Sequence, residues 1–243
     1  ENQNEMARCL NLQAAVYYVS GQFDKAESSW GNALKIFQEL GNRHQGMDLL
    51  SNLGVVADGR GDYETAFQRY DGAVKIAHET GYKDGEIVFL SNRGIELVAL
   101  QRYEEAIKDL RQSIALAGVD GSWCMPNTFN SHAEALIGLS RYDEAFYSAR
   151  QALVLAEEDK TPEVIGMAWR TLGMICDRTR DVVRFSDWET HQMGEYDAET
   201  CFSKSVKIFV EAEIEMERAR TLREWAHYEF RQGNKESGTI KWN

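Results

Sequence analysis

Proline and cysteine are scarce in this chain, which holds 2 prolines and 4 cysteines in 243 residues. So little proline, beside 19 glycines, excludes collagenous and mucin-like classes. Cys9, Cys124, Cys176 and Cys201 are scattered without a CxxC pair, the distribution of reduced thiols used as small hydrophobes. That excludes a disulfide-stapled scaffold and argues against a metal ribbon or an oxidoreductase. No apolar run reaches the roughly 20 residues of a membrane-spanning helix, and no signal-peptide pattern opens the chain. Basic residues are in deficit, 27 Lys and Arg against 39 Asp and Glu, for a formal net charge of −12. Such a surface repels phosphate backbones and anionic headgroups, so neither nucleic acid nor a membrane is an expected partner, and a cytoplasmic location is expected.

Catalytic patterns are also missing. The histidines at 44, 78, 132, 191 and 227 form no HExxH and no pair four apart on a helix, so no metal is expected. His132-Ala133-Glu134 has the form of a deaminase HxE but lacks the downstream PCxxC. There is no GxxxxGK[ST], Gly59-Arg60-Gly61 reads as a hairpin turn, and no GxSxG occurs. The chain is expected to be no enzyme and to carry no cofactor.

What the sequence does contain is a repeat. Gly21-Gln-Phe23-Asp-Lys-Ala26, Gly61-Asp-Tyr63-Glu-Thr-Ala66, Gln101-Arg-Tyr103-Glu-Glu-Ala106 and Ser140-Arg-Tyr142-Asp-Glu-Ala145 align, with aromatics 40, 40 and 39 positions apart. Seven residues after each aromatic stands Trp30, Tyr70, Leu110 or Ala149, and three further on Ala33, Ala73, Ser113 or Ala152. Offsets of three, seven and ten share one helical face. Nine residues before the aromatic, Gly54 and Gly94 accept a helix-interior cost of up to about 1 kcal/mol, as expected where only a hydrogen fits against a second helix. The unit is a helical hairpin.

These residues resemble tetratricopeptide repeats, with the family pattern W-x2-LG-x2-Y, then A-x3-F and A. Trp169-Arg-Thr-Leu172-Gly173 matches its opening, and Tyr63, Ala66, Tyr70 and Ala73 match the rest. The period of 40 replaces 34 and the closing proline is absent, so each hairpin is expected to have longer helices. Forty-residue versions resemble those of kinesin light chain, Pins-type adaptors and bacterial regulatory ATPases. The fold implied is all-α, a right-handed superhelical solenoid of five to six hairpins forming one array over 1–243. Hairpins are expected at 3–40, 43–80, 83–117, 123–157, 162–211 with an insertion at 179–193, and 214–243, truncated. Thr161-Pro162-Glu163 is a helix start, with Thr as cap and Pro in the first turn. Beginning at Glu1 and stopping at Asn243 a few residues into a helix, the chain reads as a piece of something longer, with Trp225 and Trp242 partly exposed.

In this resemblance the first helices line a concave wall. Asn52 and Asn92 occupy the same repeat position, and Asn11 and Asn130 fall one residue earlier. The pattern is similar to the asparagine ladder of O-GlcNAc transferase and kinesin light chain, which holds the main chain of an extended peptide. The competing reading is that these amides cap loops or face solvent. Arg170 and Arg223 precede the asparagine position in the fifth and sixth repeats, and Arg93 follows it in the third. Turned inward they suit a protein carboxylate, a phosphate or a small acidic ligand; turned sideways they are salt bridges to neighbouring helices.

The insertion carries Val182, Val183, Phe185, Trp188 and His191, which suits either a docking loop or a lengthened helix pair covering its own apolar seam. Glu211, Glu213, Glu215 and Glu217 read as a solvated helix start. The segments 168–173, 201–209 and 217–226 resemble the carboxy-terminal repeats of bacterial STAND-class regulatory ATPases, in which the array senses an inducer or partner. The expected function is a non-catalytic interaction or sensing region of a larger bacterial signal-transduction regulator. The alternatives are a stand-alone peptide-binding scaffold and an enzyme or small-molecule receptor with its site under the 179–193 insertion, which a closed polar pocket beside Arg170 would favour.

Overall fold

A computed structural model describes residues 2–118, 125–186 and 193–242. Cys124, Trp188, His191 and Asn243 lie outside the described residues. The chain divides into two units, Glu1–Trp123 and Cys124–Asn243. The first holds three hairpins, α1 (Asn2–Val19) with α2 (Phe23–Glu39), α3 (Arg43–Gly59) with α4 (Tyr63–Thr80), and α5 (Lys83–Ala99) with α6 (Tyr103–Ala117). In the second, α7 (Pro126–Gly138) pairs with α8 (Tyr142–Glu158) and α9 (Pro162–Thr179) with α10 (Ala198–Glu211). There α11 (Glu215–Arg231) is followed by α12 (Lys235–Trp242), and a short ribbon, β1 (Val183–Ser186) with β2 (Met193–Tyr196), divides α9 from α10. Apart from that ribbon the described fold is helical, and each unit is built of tetratricopeptide-like hairpins.

The turns share one construction. Among the described residues, a residue in the left-handed region ends each of ten helices, at Gly21, Gly41, Gly61, Gly81 and Gln101 in the first unit and Ser140, Lys160, Arg180, Glu213 and Gly233 in the second. At Gly41 the amide donates to the Gln38 carbonyl and the next amide, Asn42, to that of Phe37, a pattern repeated at Gly61 and Asp62. The residue that completes this motif also opens the next helix: Asn42 and Asp62 accept from the Gln45 and Thr65 amides through their side chains. One residue thus serves as both stop and start, and the turn residues recur every 20 positions in the first unit. Thr161 stands at such a start with Pro162 in the first turn, but its side chain makes no cap bond.

Packing within a hairpin depends on hydrogen-sized positions. A Cβ on Gly54 would stand 2.7 Å from the Tyr70 ring, one on Gly94 2.6 Å from Leu110, and one on Gly173 2.9 Å from Phe202. Seven residues separate each of these glycines from its turn residue, so the same column is small in each hairpin. Where one partner grows, the other shrinks. In the second hairpin Met47 packs in one cluster with Ala77. In the fifth, the same two columns hold Gly166 and Phe209, whose ring lies 2.6 Å from a Cβ built on the glycine.

The insertion is neither a bare loop nor a longer helix pair, because Val183 and Phe185 alternate with Arg184 and form a strand. Phe185 pairs with Gly194 in the antiparallel register, and Arg184 reaches Glu195 at 2.8 Å on the outer side. Inward, the Phe185 ring lies 5.8 Å from Trp169, 4.9 Å from Tyr196 and 6.3 Å from Phe146. Arg150 covers Phe185 at 4.9 Å, and Lys204 covers Trp169 at 4.5 Å. The ribbon therefore covers the seam of α8, α9 and α10. Trp225 is half-buried beneath Lys241, whereas Trp242 is 55% exposed.

The exchange of bulk between columns can be tested by double-mutant cycle. Phe209→Ala alone is expected to cost about 3–5 kcal/mol, and Gly166→Met alone about 1–3 kcal/mol. The double variant, rebuilt on the Met47 and Ala77 pattern, should cost less than the two added together in urea unfolding. Strict additivity would show that the columns do not touch.

Candidate functional site

Each first helix can be numbered back from its turn residue. Ten positions back stand Asn11, Ser51 and Ser91 in the first unit and Asn130, Arg170 and Arg223 in the second; nine back stand Leu12, Asn52 and Asn92, then Ser131, Thr171 and Glu224. In the first unit Asn52 and Asn92 are half-buried, and their side-chain amides have no hydrogen-bond partner among the described residues. Asn11 differs, because its Oδ1 accepts from Trp30 Nε1 at 2.8 Å and ties α1 to α2.

Arg93 does not share the face of Asn92. It turns toward the second helices, donating through Nε and Nη2 to Asp109 at 2.6 and 2.9 Å and through Nη1 to Asp71 at 2.6 Å. One guanidinium thus joins α4, α5 and α6, and Arg93 is removed from the groups free to bind a ligand. Against the opposing effect of burial, Lys75 first and Arg93 second keep the Asp71 carboxyl below the usual range.

In the second unit the same columns form an internal polar network. Asn130 is fully buried; its Nδ2 donates to Glu134 at 3.1 Å and its Oδ1 accepts from Thr171 at 2.9 Å. Arg170, 6% exposed, reaches Glu217 at 2.5 Å and Glu134 at 3.5 Å, and Arg220 donates to the other Glu217 oxygen at 2.6 Å. The network crosses α7, α9 and α11. Burial opposes the Arg170 charge, but the two carboxylates more than offset it and raise its pKa. Asn130 and Arg170 are therefore structural as they stand, and an acidic ligand at Arg170 would meet two carboxylates already in place. Glu217 is not the solvated helix-start residue that the sequence suggested, because Arg170 draws it inside. Arg223 is exposed, 3.5 Å from the adjacent Glu224.

Among the buried acids that sequence reading missed, Glu96 has an unpartnered carboxylate oxygen. Five positions before the turn stand Val56, Ala135 and Ile175, all in the core, and in the third hairpin Glu96, 2% exposed with Oε2 unpartnered. Loss of hydration, reinforced by the Asp58 charge, pushes its carboxyl up to about 8. Alignment of this column within the chain exposes the anomaly, an acid where its equivalents are apolar.

Two clefts flank the ribbon in the second unit. One, of about 650 Å³, lies among Cys176, Asp177, Arg180, Asp197, Tyr228 and Arg231. The other, about 470 Å³, is bounded by Tyr142, Phe146, Ile175, Val183 and Arg184. Neither includes Arg170 in its lining. Among the described residues no group of three or more His, Cys, Asp or Glu is arranged to hold a metal ion, and no helix is long and apolar enough to cross a membrane.

A tetratricopeptide repeat family model matches residues 5–77 and 47–118, so the first unit carries tetratricopeptide repeats. Comparison with curated proteins gave no match. Among solved structures, the apo form of RapI is 17% identical with a TM-score of 0.81, covering 100% of this chain and 82% of its own. Aspartyl phosphate phosphatase F from Bacillus subtilis is 13% identical at 0.77, with 100% of this chain matched to 59% of its length. BtubC (BKLC) from P. vanneervenii is 19% identical at 0.65, covering 87% of this chain and 83% of that one. At these identities the likeness is one of fold, and it extends the repeat architecture through the second unit.

Two stability measurements follow from the buried charges. The folded chain holds the Glu96 proton up to about pH 8, whereas an unfolded glutamate releases it near 4.5. Folded protein binds more protons in that window, so this group's contribution to stability falls as pH rises through it. The stability of Glu96→Gln relative to wild type should therefore grow between pH 5 and pH 9 in urea titrations; a constant difference would contradict the burial. Arg170→Ala leaves Glu217 buried without its main partner and should lower stability by about 3–5 kcal/mol at pH 7, read in the same assay.

Proposed function

We propose that the chain is a protein-interaction array with no reaction of its own, which receives an extended segment of a partner protein across its first helices. The observation that carries this reading is the pair Asn52 and Asn92, equivalent in two consecutive hairpins and uncommitted inside the protein. Each amide offers a donor and an acceptor, the complement of a peptide group. An extended chain rises about 3.3 Å per residue, so a strand running from α3 to α5 offers separate peptide groups to the two amides. A bound strand would then be held by its main chain, with side chains reading the intervening surface.

The wider setting we infer is the interaction or sensing region of a larger bacterial signal-transduction regulator in the cytoplasm. The likeness of segments 168–173, 201–209 and 217–226 to the repeats of STAND-class ATPases supports it. So does the sharing of this fold with an aspartyl phosphate phosphatase. The exposed Arg223 is the remaining cation of the proposed set available to an acidic side chain or a carboxy-terminus.

The test is selection of binding peptides from a random library, followed by calorimetry of a selected peptide on wild type and variants. Replacing both Asn52 and Asn92 with Ala should weaken binding about 10- to 100-fold, at roughly 1 kcal/mol per lost amide contact, with the unfolding midpoint little changed. Equal affinity in the double variant would remove the ladder from the mechanism.

A further inference from the structure

The four cysteines look unrelated in sequence, yet the fold brings two of them together. Cys176 lies near the end of α9 and Cys201 near the start of α10, 25 positions apart across the ribbon. The hydrogen-sized column draws these helices close, so that a Cβ on Gly173 would stand 3.2 Å from the Cys201 Cβ. Cys176 is one turn further along the same face of α9. The Cys201 side chain and the Val183 amide of β1 both act on the Cys176 sulfur, whose thiol points to the Tyr196 carbonyl at 3.5 Å. Both residues are buried, but Cys176 forms part of the wall of the 650 Å³ cleft, and Cys201 does not.

We propose that Cys176 and Cys201 are a dithiol pair that a low-molecular-weight disulfide, entering by this cleft, converts to an intrachain disulfide joining α9 to α10. The roles follow from the placement. The Cys201 side chain and the Val183 amide favour the Cys176 thiolate and hold its pKa below the ordinary thiol value. Cys176, open to the cleft, attacks one sulfur of the entering disulfide; a protein–sulfur bond forms, the disulfide bond breaks, and one small thiolate leaves. That thiolate takes the Cys201 proton. The Cys201 thiolate then attacks the Cys176 sulfur and expels the second small thiol, so two protein thiols are oxidised and one small disulfide is reduced. Arg180 and Arg231 in the same wall favour an anionic disulfide such as oxidised glutathione, although Arg231 is also paired to Asp177. The product closes the loop that contains the ribbon and removes the Cys176 thiol proton that points to the Tyr196 carbonyl of β2, so oxidation acts directly on how the ribbon is held.

The whole chain, reduced and then exposed to oxidised glutathione under native conditions, is alkylated and mapped by mass spectrometry. The expected product is a Cys176–Cys201 linked peptide, with a rise in Tm of several degrees that dithiothreitol reverses. Cys201→Ser should stop at a stable glutathione adduct on Cys176, and Cys176→Ser should leave Cys201 unmodified. Modification confined to the exposed Cys9, or a persistent glutathione adduct on Cys176 of the wild type, would overturn the proposal. So would a linked pair found only after denaturation.

Discussion

A hydrogen atom is the smallest group that a helix can present, and the hairpins of this protein rest on that fact. At Gly54, Gly94 and Gly173 the first helix offers no Cβ, so Tyr70, Leu110 and Phe202 lie against its backbone. The approach removes apolar area from water on both sides and holds the two helices in one register. Because the requirement is volume rather than identity, Met47 beside Ala77 can become Gly166 beside Phe209 with the space still filled. Such exchange lets the repeats diverge in sequence while their geometry persists.

This also explains which features were legible before the fold was known. Small and aromatic residues at fixed offsets report on packing within one hairpin, a local relation that a single sequence displays directly. Pairings between hairpins are not local. Arg170 follows the repeat pattern at its position, but its partners Glu134 and Glu217 lie 36 and 47 residues away, on helices that only the stack brings near. Arg93 is displaced by one position from Asn92, a rotation of about 100° on a helix, enough to turn it from the shared face to the second helices. The ribbon was illegible for a different reason. Val183 and Phe185 alternate over only four residues, too short a run to separate a strand from a loop.

The two units use their first helices differently. In the first, Ser51, Asn52, Ser91 and Asn92 are neutral and Asn52 and Asn92 are unengaged. In the second, the equivalent columns are closed by Asn130, Thr171, Arg170 and Glu217, and the ribbon adds aromatic cover over α8 to α10. A buried ionic network contributes specificity of packing more readily than net stability, because desolvation offsets much of the attraction. The second unit thus commits to internal order columns in which the first leaves the amides of Asn52 and Asn92 available, and it is there that the thiol pair and both clefts are found.

Joining successive helices through a residue that ends one and begins the next leaves no slack in the connection. Inserting a single amino acid at Asn42 or Asp62 would require the following helix to turn by about 100° or the turn to be rebuilt. Length variation is thereby pushed out of these joints. It is accommodated after Arg180, where the spacing to the next turn residue, Glu213, is 33 instead of 20 and the surplus forms the ribbon. Such a joint is where a lineage can graft new sequence without disturbing the cadence of the rods on either side.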